Sequence, residues 1–168
     1  MKRNSIGKLL LTAAPTILSL TGPAATAEAA AINCNGGVQK AILSTISVSN
    51  FSTSSSAFVA IPGASISVTT GGAVSDVYSV TFSGEASATG GGSWEVEAQR
   101  SIDGGAVALI PPGSSITFHS GNNGAANSMS WCTRLSATTN LDFRILWRKL
   151  GGGTANIGAY TMQVLRSE

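Results

Sequence analysis

The chain has 168 residues, of which only 11% are charged, and ten basic against eight acidic side chains give a formal net charge of +2. So small an excess supplies no electrostatic reason to expect a nucleic acid or an anionic membrane surface as partner. One histidine and two cysteines are too few for an ordinary transition-metal site, and no other cofactor motif is present.

The N-terminus reads as a secretory signal peptide over residues 1–29. Lys2, Arg3 and Lys8 form a positive n-region, Leu9 to Leu20 an apolar stretch, and Pro23 to Ala31 a small-residue region in which Ala27-Glu28-Ala29 is an A-x-A cleavage site. The apolar stretch is shorter than the about 20 residues of a membrane span. Cleavage after Ala29 leaves residues 30–168 as a single domain with seven basic and seven acidic residues. The expected destination is secreted, extracellular or at the cell surface, with the periplasm as an alternative. In such an oxidising compartment Cys34 and Cys132 are suited to one disulfide. The alternative is two buried free thiols.

Ser, Thr, Gly and Ala dominate the mature part, but regular apolar alternation argues for order and against disorder. Ala41 to Ser49 alternates hydroxyl residues with Ile42, Ile46 and Val48. Ala57 to Ile61 is a short apolar run stopped by Pro62-Gly63, and Ser65 to Thr70 carries Ile66 and Val68 up to Gly71-Gly72. Val74 to Ala86 places Tyr78, Val80 and Phe82 on one face and Ser79, Thr81 and Ser83 on the other. After Gly90-Gly91-Gly92, Trp94, Val96 and Ala98 alternate with Glu95, Glu97 and Gln99. These period-two patterns mark strands with one buried face.

Asp103-Gly104 is the strongest hairpin signal, because a type I′ turn needs positive φ at both central positions. It should join the strand ending at Ile102 to Val107–Ile110, which Pro111-Pro112-Gly113 closes. Ile116 to His119 is a short strand, and Ser120 to Asn127 the most loop-like stretch. Met129, Trp131, Thr133 and Leu135 then oppose Ser130, Cys132 and Arg134. Leu141, Phe143, Ile145 and Trp147 oppose Asp142, Arg144, Leu146 and Arg148, and Tyr160, Met162 and Val164 carry the last strand. Nine or ten short strands with no helix after the signal predict an all-β, two-sheet antiparallel sandwich. With Trp131 facing the core, Cys132 points outward, so a bond to Cys34 would clamp the N-terminal segment across that strand's outer face.

Few residues suggest chemistry. His119, the only histidine, has no G-x-S-x-G elbow to serve and reads as a strand-end residue. Glu95 and Glu97 share a strand face about 7 Å apart, a spacing compatible with glycoside hydrolysis or Ca²⁺. They nonetheless occupy the polar side of an amphipathic strand, where Arg134, Arg144 and Arg148 of other strands could pair with them. Trp94, Trp131 and Trp147 all take inward positions. Phe51, Asn122 and Asn123, in expected loops, are better candidates for a ligand surface, and Asn50-Phe51-Ser52 is a glycosylation sequon in form.

Ser75 to Arg166 resembles small secreted bacterial jelly-roll domains, distantly similar to the TNF/C1q-like sandwiches. The stretches that carry the resemblance are Asp76-Val77-Tyr78-Ser79-Val80-Thr81-Phe82-Ser83-Gly84-Glu85-Ala86, Asp103-Gly104, Trp131 through Leu141-Asp142-Phe143-Arg144-Ile145-Leu146-Trp147-Arg148, the Gly151 cluster and Tyr160-Thr161-Met162-Gln163-Val164-Leu165-Arg166. The resemblance implies a jelly roll, assembled as a homotrimer and used for binding or display.

The function expected is that of a non-enzymatic extracellular binding or surface-display module, whose partner is a glycan or a surface protein. The alternative is a small secreted hydrolase using Glu95/Glu97 or His119. An oligomer would need an apolar patch on the sandwich exterior, and Leu146, apolar on the polar side of its strand, is the expected contact.

Overall fold

A computed structural model describes residue 34 and residues 37–70, 75–136 and 140–168. The signal-peptide reading, the Gly71-Gly72 turn and Val74 lie outside the described residues. Among the described residues no helix is long and apolar enough to cross a membrane. The strands are β1 (Gln39–Ser47), β2 (Phe51–Thr53), β3 (Val59–Thr69), β4 (Ser75–Ala88), β5 (Ser93–Ile102), β6 (Ala108–Leu109), β7 (Ile116–Ser120), β8 (Ala125–Ser136), β9 (Asn140–Leu150) and β10 (Ala155–Ser167).

Two antiparallel sheets face each other. Sheet A runs β1-β10-β4-β8, with β2 continuing the β1 flank of β10. Sheet B runs β3-β9-β5, closed by the short β6 and β7, which both pair with β5. From β3 onward the chain passes repeatedly between the sheets, giving the all-β sandwich a jelly-roll topology.

The alternation read from the sequence fixes which side of most strands is buried. Tyr78, Val80 and Phe82 of β4, Trp94, Val96 and Ala98 of β5, Trp131 of β8, Phe143, Ile145 and Trp147 of β9, and Tyr160, Met162 and Val164 of β10 all enter one core. An aromatic chain spans both sheets: Phe118 lies 5.4 Å from Phe82 and 4.8 Å from Trp94, and Trp94 meets Trp147 edge-on at 5.4 Å. Asp103 and Gly104 adopt φ of 49° and 70°, and Gly105 N donates to Ile102 O at 2.8 Å, the expected I′ turn.

Several readings differ from the structure. Of Ser120–Asn127, read as loop, Ser120 ends β7 and Ala125–Asn127 open β8, and Phe51, expected in a loop, begins β2. Ala57–Ile61 and Ser65–Thr70 are not separate strands, because Pro62-Gly63 is a bulge within β3, where the register with β9 shifts between Ala60 and Ser65. An edge strand tolerates this, since Pro62 removes no ladder bond there. In β1 the aliphatic side is not the buried side. Leu43, Thr45 and Ser47 pair with the core residues Val164, Met162 and Tyr160, whereas Ile42 and Ile46 face outward.

Cys34 and Cys132 form a disulfide with Cα atoms 6.0 Å apart. Trp131 pairs with Val80 in the core, and Cys132 pairs with Ser79 on the opposite face. The bond therefore ties residue 34 onto the outside of sheet A.

Candidate functional site

The outer face of sheet A is built from period-two alternation in strands that spend their small polar residues on one side. In register across the sheet, Ser128, Ser83, Thr161 and Ile46 form one row, and Ser130, Thr81, Gln163 and Ser44 the next. Hydroxyls bond along these rows, with Ser83 Oγ 2.8 Å from Ser128 Oγ and Thr81 Oγ1 3.0 Å from Ser130 Oγ. Neither row contains a charge.

At one end this flat face breaks into clefts. The β10 register shifts between Ile157 and Tyr160, opposite Gly84 and Ala86 of β4, and such a bulge re-aims its side chains. A cleft of about 470 Å³ opens there, lined by Asn50, Phe51, Ser52, Glu85, Asn156 and Gly158 among others. A second depression of about 430 Å³ runs on over Ile46, Ser83, Gly84, Asn127 and Thr161, and a third of about 240 Å³ over Ala125 and Ala126. Glu85 lines all three. A Cβ placed on Gly158 would stand 3.2 Å from Glu85 Oε2 and 3.3 Å from Asn50 Oδ1, so a glycine there leaves room between the carboxylate and the amide. Phe51 is half-buried with its ring centroid 6.3 Å from that of Tyr160.

The sequence-derived candidates distribute unequally around this site. Phe51 lies on the short strand β2 and lines the 470 Å³ cleft together with Gly124. Asn123 and Gly124 border a neighbouring depression beside His119. Asn122 is committed elsewhere, its Oδ1 accepting from Gly91 N at 3.0 Å. Asn50, Glu85, Asn156 and Gly158 were not among the candidates. The Asn50 sequon and the position of Glu85 on the hydroxyl side of β4 were the available signals, but only the bulge brings them together.

The other candidates lie apart. Glu95 and Glu97 are on the outer face of sheet B, where Arg148 Nε and Nη2 reach Glu95 Oε2 at 2.9 and 2.7 Å. Gln99 Nε2 donates to Glu97 Oε1 at 2.6 Å, and Arg144 donates to Gln99. Arg134 sits on β8 of sheet A and does not join them. His119 is buried, donating from Nε2 to Gly121 O at 3.0 Å, with Asn127 Nδ2 3.5 Å from Nδ1. Leu146 stands on the outer face as read, but it is only 8% exposed. It lies in register between Ala60 and Glu97, within the Arg144–Gln99–Glu97 network, and so offers little surface to a partner. The exposed aliphatic residues of sheet A lie instead on and beside β1: Ile42 is 53% exposed, Ile46 70% and Val48 85%. Among the described residues, no three His, Cys, Asp or Glu side chains gather in a way that could hold a metal.

No family model matches the chain. No curated protein matches it either. Among solved structures it is similar to infectious bursal disease virus, Gx strain, at 14% identity and a TM-score of 0.47 over 78% of this chain and 32% of that one. It is similar also to the Gt strain, at 13% identity and a TM-score of 0.47 over 79% of this chain and 34% of that one. The chain thus spans about a third of the length of those proteins.

Proposed function

We propose that this chain is a secreted, non-enzymatic binding module of the bacterial, TNF/C1q-like jelly-roll kind, and that its ligand is an extracellular or surface glycan held in the clefts around Glu85. The observation that carries this reading is the convergence of three depressions on one carboxylate, the first of them also lined by two amides, two hydroxyls and a half-buried aromatic ring. Sugars present paired hydroxyls to carboxylate and amide groups and an apolar ring face to an aromatic side chain. The few polar groups in such a cleft set orientation and specificity. The hydroxyl rows beyond the clefts extend the surface along which a chain of sugars can lie. Partners of strong charge, nucleic acid above all, do not fit a mature domain with equal numbers of acidic and basic residues.

The competing hydrolase reading would rest on Glu95/Glu97 or His119. Glu95 is engaged by Arg148, and the ring nitrogens of His119 have Gly121 and Asn127 as neighbours. The test is an array of immobilised oligosaccharides probed with the secreted, oxidised protein and with Phe51→Ala. Retention on a defined sugar class, weakened about tenfold in the variant, supports the proposal. No retention on any sugar, or release of reducing ends from a retained one, overturns it.

A further inference from the structure

The sandwich has four sheet edges, and three of them are obstructed. An edge strand exposes unpaired N–H and C=O groups and invites pairing with another chain unless charge, proline, a bulge, short length or a covering segment blunts it. In sheet B, β3 is interrupted at Pro62-Gly63, and the opposite edge is divided into β6 of two residues and β7 of five. In sheet A, β8 carries the disulfide to Cys34, and Pro111 and Pro112 border the same depression as Cys34, Ser130, Trp131 and Cys132. The fourth edge is β1. From Ala41 to Ser47 it has no proline, glycine or charge and stays in regular register with β10. The neighbouring charge, Lys40, forms an exposed ion pair with Glu168 of the same chain.

We infer that β1 is the interface with a second copy of this chain, pairing antiparallel with its counterpart about a two-fold axis at Ser44. That axis is chosen by the sequence itself. It sets Ile42 of one copy opposite Ile46 of the other, twice, with Ser44 facing Ser44 between them, so the outward aliphatic row meets its own complement. A two-fold contact of this kind is self-complementary and closed. Among the described residues no strand pairs with the outer edge of β1, so the partner's β1 would occupy it and assembly would stop at two. The lack of charge along the strand leaves no repulsion between identical copies, and pairing brings Ile42 and Ile46, 53% and 70% exposed in the isolated chain, into cross-strand contact that covers part of that surface. It also gives a role to Ile42 and Ile46, which β1 holds on its outer face while Leu43 packs toward the core.

The solution mass of the secreted, oxidised protein should be twice that of one chain across a dilution series in light scattering behind a sizing column. Ile46→Lys should halve that mass with the β-sheet circular dichroism unchanged, because the side chain is already exposed. Val107→Lys, placed on an exposed residue between β5 and β6, should leave the mass unchanged. Ser44→Cys should form a covalent dimer under oxidising conditions, and Ser128→Cys on β8 should not. A single-chain mass at every concentration overturns the inference. So does a trimer of the TNF/C1q kind, a dimer that survives Ile46→Lys, or a Ser44→Cys protein that stays uncrosslinked.

Discussion

Glu85 and Asn50 approach each other over Gly158, each with a side-chain oxygen within 3.3 Å of where a Cβ at that residue would stand. The strands that carry Glu85 and Gly158 are sheet neighbours, but Asn50 comes from the turn before β2. The cleft therefore depends on three separate chain segments and on one missing side chain. Gly158→Val should fill it. The expected outcome is a loss of sugar retention of at least about tenfold with a melting temperature within a few degrees of the parent, read by array binding and calorimetry. A variant that keeps full binding would place the ligand elsewhere.

The disulfide gives a stability prediction. It closes a loop with a sequence separation of 98 residues, for which the chain-entropy model gives about 4–5 kcal/mol. Cys34→Ser with Cys132→Ser should lower the denaturant midpoint markedly and steepen the transition, because the denatured chain without the cross-link is less compact. Loss of less than about 1 kcal/mol would mean that the N-terminal clamp adds little to the fold.

Tyr160 links the two sheets, its hydroxyl donating to the carbonyl of Pro62 at the β3 bulge. Burial raises the Tyr160 pKa above its ordinary value, against a smaller opposing effect of a hydrogen bond with Ser47. A raised phenol pKa means that the folded state holds the proton longer than the unfolded chain. Its contribution is fully present below the unfolded value, about 10, and is lost as pH rises through the higher folded value. Tyr160→Phe should cost about 1–2 kcal/mol at neutral pH, because the Pro62 carbonyl loses its donor. The variant should also lose stability less steeply than the parent above about pH 10. Parallel alkaline unfolding curves would contradict this role.

Lys149 is buried on the core side of β9, with Nζ donating to Leu150 O at 2.8 Å and to Ser93 O at 3.4 Å. Its aliphatic stem fills core volume near Gly92, where even a Cβ would collide with the ammonium. Lys149→Ala should cost about 2–4 kcal/mol through the cavity it leaves. Lys149→Met should recover most of that in chemical denaturation, because the carbonyls give the buried cation only partial compensation for lost water. Failure of Met to recover stability would assign the larger share to the charged hydrogen bonds.

The contrast between β9 and β1 explains what the sequence made legible. In β9, Leu141, Phe143, Ile145 and Trp147 alternate with mostly charged residues, so only one face can be buried, and it is. In β1 the choice lies between isoleucines and a face of Leu43, Thr45 and Ser47, and hydrophobicity alone selects the wrong side. Pairing with β10 decides it, and that long-range contact is not written in local alternation. The same reasoning applies to Leu146, where the outward direction follows from the pattern but its burial depends on neighbours from β3 and β5. The outward disulfide was readable because Trp131 and Cys132 are adjacent and must face opposite ways. The cleft was only partly readable, through Phe51 and the loop at Asn123, because Glu85, Asn156 and Gly158 acquire meaning only where the β10 bulge meets β4.

The most direct test of the proposed glycan site follows the backbone amides of isotope-labelled, oxidised protein by NMR while a sugar retained on the array is added. The account predicts saturable shifts concentrated at Asn50, Phe51, Glu85, Asn156 and Gly158, lost in Glu85→Gln. Shifts centred on Glu95 and Arg148 of sheet B, or none at any sugar concentration, would contradict it.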